Sequence, residues 1–165
     1  MTQRADLAHL MDRLAVDALL TGYARAVDDG EWAGYLALFT ADGRADYRGA
    51  GGIEGPVGEV ARWLAETMRL FPVRQHLIVN RRIGIETPDG YRGDRAEAQA
   101  DYLNPMRLES APDGAGGPPE GPTAPNFVSG GRYAFTLSRT AEGWRIRTVT
   151  VHEKWRGTGE LFAGQ

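Results

Sequence analysis

The period of the apolar residues changes once along this chain, near residue 70, and that change limits the folds open to it. Before it, apolar side chains recur every three to four residues, the spacing of one helical face. After it, β-branched and aromatic residues dominate four runs bounded by turn residues, the signature of strands. Helices first, then a strand meander, predict an α+β fold with helices on one face of an antiparallel sheet. A curved sheet closed over by helices makes a cone with a single pocket, the natural site for a small molecule.

The first helix is expected over 5–27. Leu7, Leu10, Met11, Leu14, Leu20, Tyr23, Ala24 and Val27 form its stripe, and Asp28-Asp29-Gly30 ends it. A short helix over 31–39 puts Trp32, Leu36 and Phe39 on one side. Residues 43–49 read as a short strand. Gly55-Pro56 then opens a third helix, 56–70, with Val57, Val60, Leu64 and Met68 at helical spacing. Strands are expected over 73–86, 93–108, 127–139 and 143–155. The turns between the first and last pairs are Thr87-Pro88-Asp89-Gly90 and Thr140-Ala141-Glu142-Gly143. Residues 109–126, ESAPDGAGGPPEGPTAPN, are a Pro/Gly insertion that reads as a flexible loop or, alternatively, as a lid over a pocket.

The length of 165 residues fits one domain, 1–165. A net charge of −3 gives no basic face for nucleic acid. The absence of cysteine excludes disulfides, thiolate nucleophiles and cysteine-based metal centres. No apolar run approaches the ~18 residues that span a bilayer, and MTQRADLAHLMDRLA lacks the apolar core of a signal peptide. A soluble cytoplasmic protein is expected, with no membrane partner. No P-loop, strand-following GxGxxG or GxSxG elbow is present, and the three histidines show no ligand spacing. No cofactor and no metal are expected.

Strand alternation sorts side chains into faces. His76, Ile78 and Asn80 share one face of 73–86, and Leu77, Val79 and Ile83 the other, so that strand should be covered on both sides. Ala96, Ala98, Ala100, Tyr102, Asn104 and Met106 share a face whose small residues leave room for helices or ligand, while Arg95, Glu97, Gln99 and Asp101 turn outward. Neither face of the last strand is clearly apolar, so periodicity does not place His152.

Two residues carry the candidate chemistry, Asp28 and His76. A carboxylate at a helix C-terminus meets the negative end of the dipole, at a cost of a few tenths to ~1 kcal/mol that a partner offsets. Bonded to Asp28, the His76 imidazole would have one nitrogen fixed as donor and the other free to accept a proton. Tyr23, five residues before Asp28, could donate to a substrate oxygen. Tyr47, Asn104, Tyr102 and Met106, with Trp63, Phe39 and His152, are the candidate substrate contacts. The plain alternatives are a turn aspartate at 28 and a core histidine at 76.

The string Tyr23-Ala-Arg-Ala-Val-Asp28-Asp29-Gly30-Glu31-Trp32, with LeuAlaLeuPheThrAlaAspGly at 36–43, His76-Leu-Ile-Val-Asn80 and Gly143-Trp144-Arg-Ile, resembles the SnoaL-like family of the nuclear-transport-factor-2-like superfamily. The resemblance spans nearly the whole chain. It implies the α+β cone and is less specific about reaction, since members include polyketide cyclases, scytalone dehydratase, bile-acid 7α-dehydratase, lindane dehydrochlorinase, ketosteroid isomerases and non-catalytic subunits. Asp28 and His76 fall on the dyad of the dehydratase and dehydrochlorinase branch. Tyr23 matches a tyrosine of the bile-acid enzyme and Tyr47 a pocket tyrosine of scytalone dehydratase. The position of a second acid falls on Asn104 or Met106, a departure that leaves proton abstraction intact and the second proton donor open.

Together these readings predict a cofactor-free lyase or isomerase, of dehydratase or cyclase type. It would act on a small, apolar, oxygenated substrate in secondary metabolism or in steroid or aromatic catabolism. The family resemblance also implies a homodimer. One rival is a non-catalytic small-molecule-binding or assembly domain of the same fold, which predicts that Asp28 and His76 lie apart. A second is epoxide-hydrolase-like water activation, which needs another inward acid near Asp28.

Overall fold

The computed structural model describes residues 3–87, 93–109 and 124–159. The expected turn at 87–90 and the insertion at 109–126 fall almost entirely outside them. Three helices, α1 (Gln3–Asp29), α2 (Trp32–Ala37) and α3 (Val57–Met68), pack on one strongly curled sheet. Its strands are β1 (Phe39–Asp46), β2 (Glu54–Pro56), β3 (Val73–Arg74), β4 (Leu77–Glu86), β5 (Arg95–Arg107), β6 (Phe127–Thr140) and β7 (Gly143–Thr158). The order is β2-β1-β7-β6-β5, with both β3 and β4 paired to β5. This is the expected α+β cone. The sheet is mixed rather than wholly antiparallel, because β1 runs parallel to β7. The whole meander separates those two strands in sequence, which gives the chain length enough to return in the same direction.

The core face of α1 differs from the expected stripe in its first half. Asp12, Val16, Leu20, Tyr23, Ala24 and Val27 are buried, whereas Leu7, Leu10, Met11 and Leu14 are each more than half exposed. Asp12 decides the rotation. Its carboxylate accepts from Arg139 Nη2 at 2.6 Å and from the Trp144 indole at 3.2 Å, tying the helix to the β6–β7 hairpin. A buried carboxylate must be paired, so this contact outranks the leucines. In α3, by contrast, Val57, Val60, Leu64 and Met68 are buried as the spacing predicts.

Phe39 does not close a helix. It opens β1 and is buried against Tyr35, ring to ring at 5.1 Å. β5 keeps strict alternation, with Ala96, Ala98, Ala100, Tyr102, Asn104 and Met106 all buried. The expected strand 73–86 is broken in two. Between its halves His76 leaves the ladder, and its N–H turns to the Asp28 carboxylate. A second irregularity follows at Asn80, whose φ of 51° accompanies a register shift between Val79 and Arg82. The shift reverses the alternation, so Ile78 and Ile83 are buried on one face while Leu77, Val79 and Asn80 are exposed. The expectation that this strand is covered on both sides does not hold.

Candidate active site

The last turn of α1 sets the position of Asp28. Gly30, with φ of 70°, donates back to Val27 and turns the chain out of the helix, the usual work of a left-handed glycine there. Arg74 then caps two helices at once. Its Nε donates to the Asp28 carbonyl at 2.8 Å and its Nη1 to the Met68 carbonyl at 2.8 Å. A guanidinium at two helix C-termini offsets the dipole that disfavours a carboxylate there.

Asp28 and His76 meet. The His76 N–H donates to both carboxylate oxygens, at 3.1 and 2.9 Å, and ring Nδ1 lies 2.5 Å from Oδ1. A carboxylate only accepts, so Nδ1 carries the hydrogen. That leaves the lone pair on Nε2, which makes no bond to the protein among the described residues. The His76 side chain is 8% exposed and that of Asp28 20%.

His76 lines a cavity of about 210 Å³ between the helices and the inner face of the sheet. Tyr23, Tyr47, Trp63, Tyr102, Asn104 and Met106 line it too. Two of the candidate contacts lie elsewhere. Phe39 is core, and His152 is exposed on the outer face of β7. The register shift between Thr136 and Leu137 breaks the alternation of β7, which hid its phase. Val149 and Val151, both buried, set that phase and send His152 outward. The same phase brings Glu153 into the cavity, and the register shift between Gly130 and Gly131 turns Arg156 to the same side, opposite Ser129 of β6. Sequence reasoning passed over these three. The Val149–Val151 pair was the signal that could have found Glu153.

Three phenols cluster at one end of the site. The Tyr23 and Tyr47 hydroxyls are hydrogen-bonded to each other, and the Tyr35 hydroxyl lies 3.4 Å from that of Tyr47. Two contacts use two of three hydroxyl hydrogens. Tyr35 is fully buried and does not line the cavity, so its hydrogen goes to Tyr47. One hydrogen, on Tyr23 or Tyr47, remains for the cavity. Burial raises both phenols well above the ordinary tyrosine value, helped at Tyr23 by the neighbouring Tyr35 and at Tyr47 by Tyr23. Both are therefore neutral donors across the physiological range.

A helix-wrapped curled sheet enclosing a cavity defines the chain as a nuclear-transport-factor-2-like cone. Within that class it belongs to the SnoaL-like family, whose domain model matches residues 8–150. An uncharacterized protein of Mycobacterium tuberculosis, Rv2910c, is 29% identical over 140 residues, 85% of this chain and 84% of its own. Among solved structures, the hexachlorocyclohexane dehydrochlorinase LinA-type3 of Novosphingobium barchaimii superposes with a TM-score of 0.73 at 16% identity, covering 97% of this chain and 96% of its own. A candidate scytalone dehydratase of Novosphingobium aromaticivorans gives 0.69 at 14%, covering 96% and 98%. At such identities the shared property is the fold. No helix among the described residues is long and apolar enough to cross a membrane.

Proposed function

We propose that this protein is a cofactor-free lyase or isomerase in which His76, held by Asp28, removes a proton from carbon next to an activating oxygen. The supporting observation is the 2.5 Å contact between His76 Nδ1 and Asp28, which leaves Nε2 basic in a largely apolar cavity. The proton passes to Nε2 and its electron pair moves toward the activating oxygen. The free hydroxyl hydrogen of the Tyr23–Tyr47 pair donates to that oxygen as charge develops. Asp28 stabilises the imidazolium that results. Elimination of a leaving group, ring closure and return of the proton at another carbon all share this step. The dehydrochlorinase and candidate dehydratase that share the fold suggest elimination.

The contact counts against a purely non-catalytic domain, which predicts Asp28 and His76 apart. Water activation by paired carboxylates has little support: Asp101 turns outward to Arg132, and Glu153 is ion-paired with Arg156. The test is exchange of α-protons for deuterium in a panel of small cyclic ketones, followed by NMR. His76→Ala and Asp28→Asn should both abolish catalysed exchange. Near-wild-type exchange in both variants would refute the proposal.

A further inference from the structure

The wall of the cavity formed by β5, β6 and β7 holds a run of polar groups whose hydrogen positions follow from one another. The run begins at the Arg156 guanidinium, which grips Glu153 with Nε at 2.7 Å from Oε1 and Nη2 at 3.0 Å from Oε2. Its Nη2 also donates to the Ala50 carbonyl at 3.1 Å, fixing it in place. Glu153 Oε2 lies 2.8 Å from the Ser129 hydroxyl. A carboxylate paired to arginine has no hydrogen to give, so Ser129 donates. Ser129 has only one hydrogen. The Tyr102 hydroxyl, 3.3 Å from Ser129 Oγ, must therefore donate to it. The only hydrogen of Tyr102 thus points away from the cavity, and its oxygen presents lone pairs to it.

Two positions further along β5, Asn104 does the same by another route. Its amide nitrogen donates to the Tyr133 hydroxyl at 3.4 Å. Its Oδ1 has no partner among the described residues, although Asn104 is only 5% exposed and lines the cavity. A buried acceptor without a donor is a cost that folding tolerates where a ligand relieves it.

We infer that this wall is a subsite for a hydrogen-bond-donating group of the ligand, a hydroxyl or an N–H, read by the Tyr102 oxygen and Asn104 Oδ1. The inference rests on the cavity being the substrate site, and it adds a substrate class: compounds with a hydroxyl or N–H at the end that meets the sheet. A carbonyl or ether placed against those two oxygens would set lone pair against lone pair. Ser129, Glu153 and Arg156 are positioning residues, since they act by setting the direction of Tyr102. A β6 glycine makes room: a Cβ at Gly131 would clash with the His152 carbonyl oxygen and stand 2.8 Å from the Tyr102 hydroxyl.

The polarity of the run can be reversed by single changes. In Glu153→Gln the amide can donate to Ser129, which then donates to Tyr102, which must donate into the cavity. Ser129→Ala frees the Tyr102 hydrogen directly. The probes are 1-tetralol and 1-tetralone, one skeleton carrying a hydroxyl or a carbonyl, with binding measured by calorimetry. Wild type should prefer the alcohol by roughly three- to tenfold, the worth of a neutral hydrogen bond. Asn104→Leu should shrink the preference, and Glu153→Gln and Ser129→Ala should each abolish it, because the freed Tyr102 hydrogen can then donate to the ketone. Equal binding of the two probes, binding of neither, or an unchanged preference in both reversing variants overturns the inference. Binding needs no turnover, so this result stands apart from the deuterium-exchange test.

Discussion

Replacing Asp28 by asparagine separates what the carboxylate does for the fold from what it does for the imidazole. Asparagine keeps the shape. Its Oδ1 can still accept the His76 N–H, now 2.9–3.1 Å from the two carboxylate oxygens. Its amide nitrogen then faces Nδ1, now 2.5 Å from Oδ1, and donates to it. Nδ1 must give up its hydrogen, which moves to Nε2 and blocks the base. Both contacts survive, so the stability change should stay below about 1 kcal/mol. The loss in rate should be near 10⁴-fold, the size seen when a histidine–aspartate pair is forced into the wrong tautomer, or ~5 kcal/mol of barrier. Alanine behaves differently. It leaves the backbone N–H and Nδ1–H of a largely buried histidine without their charged acceptor, at about 2–4 kcal/mol. At ~2–4 °C per kcal/mol for a chain of this size, melting should fall by roughly 5–15 °C. Scanning calorimetry gives the melting temperatures, and ¹⁵N shifts of the His76 ring give the tautomer. The reasoning fails if Asp28→Asn keeps its hydrogen on Nδ1, or if the two variants melt together.

Arg74→Gln should move the site without touching it. It removes donors to the Asp28 and Met68 carbonyls, and a loss of about 1–3 kcal/mol is expected in urea melts. Deuterium exchange should fall as well, because the α1 terminus that carries Asp28 loses its anchor; full stability in urea would exclude the double-cap role. Away from the cavity, hydrogen bonds from Arg132 and then Asn80 lower the Asp101 carboxyl to about 2. A lowered folded value means stability that is present above the ordinary value of 3.8 and lost as pH falls through about 2. Arg132→Ala should move the NMR titration of Asp101 up toward 3.8, and an unmoved titration would count against the pairing.

The fold was legible because its main signal, the single change of period, is physical. An amphipathic stripe and an alternating strand each have one way to bury their apolar side. β5 shows this best: its six alternating residues are all buried, and the small ones leave space for the cavity. What escaped notice were breaks in periodicity. The bulge at Asn80, the step at His76 and the shift in β6–β7 each reverse the faces of a strand by one residue. Nothing local marks such a reversal, and so His152, offered as a substrate contact, lies outside the cavity, while Glu153, passed over, lines it. Asp12 escaped for another reason. A buried ion pair 127 residues apart in sequence has no local trace. Asp28 and His76 stood out by residue type and context, but their meeting depends on His76 leaving the ladder, which periodicity does not encode.

The polar groups of the cavity sort themselves by what they can give. The Tyr23–Tyr47 pair offers one hydrogen, Tyr133, which accepts from Asn104, keeps another, Tyr102 and Asn104 offer lone pairs, and His76 offers a basic nitrogen. On the proposed reading, that arrangement suits a substrate with an acceptor oxygen at one end and a donor group at the other. The carbon that loses its proton then lies at the acceptor end, where the Tyr23–Tyr47 hydrogen can stabilise the developing charge. The raised phenols favour a particular kind of charge. They stay protonated and can donate a hydrogen bond to an enolate oxygen but part with a proton reluctantly, so they stabilise an intermediate better than they protonate a leaving group. Among the described residues the carboxylate that lines the cavity is Glu153, and it is held by Arg156 and spends its lone pairs on Ser129. An elimination here would therefore proceed through the enolate, with a leaving group that departs without strong acid assistance. A substrate whose leaving group demands a strong acid should turn over slowly even when it binds well.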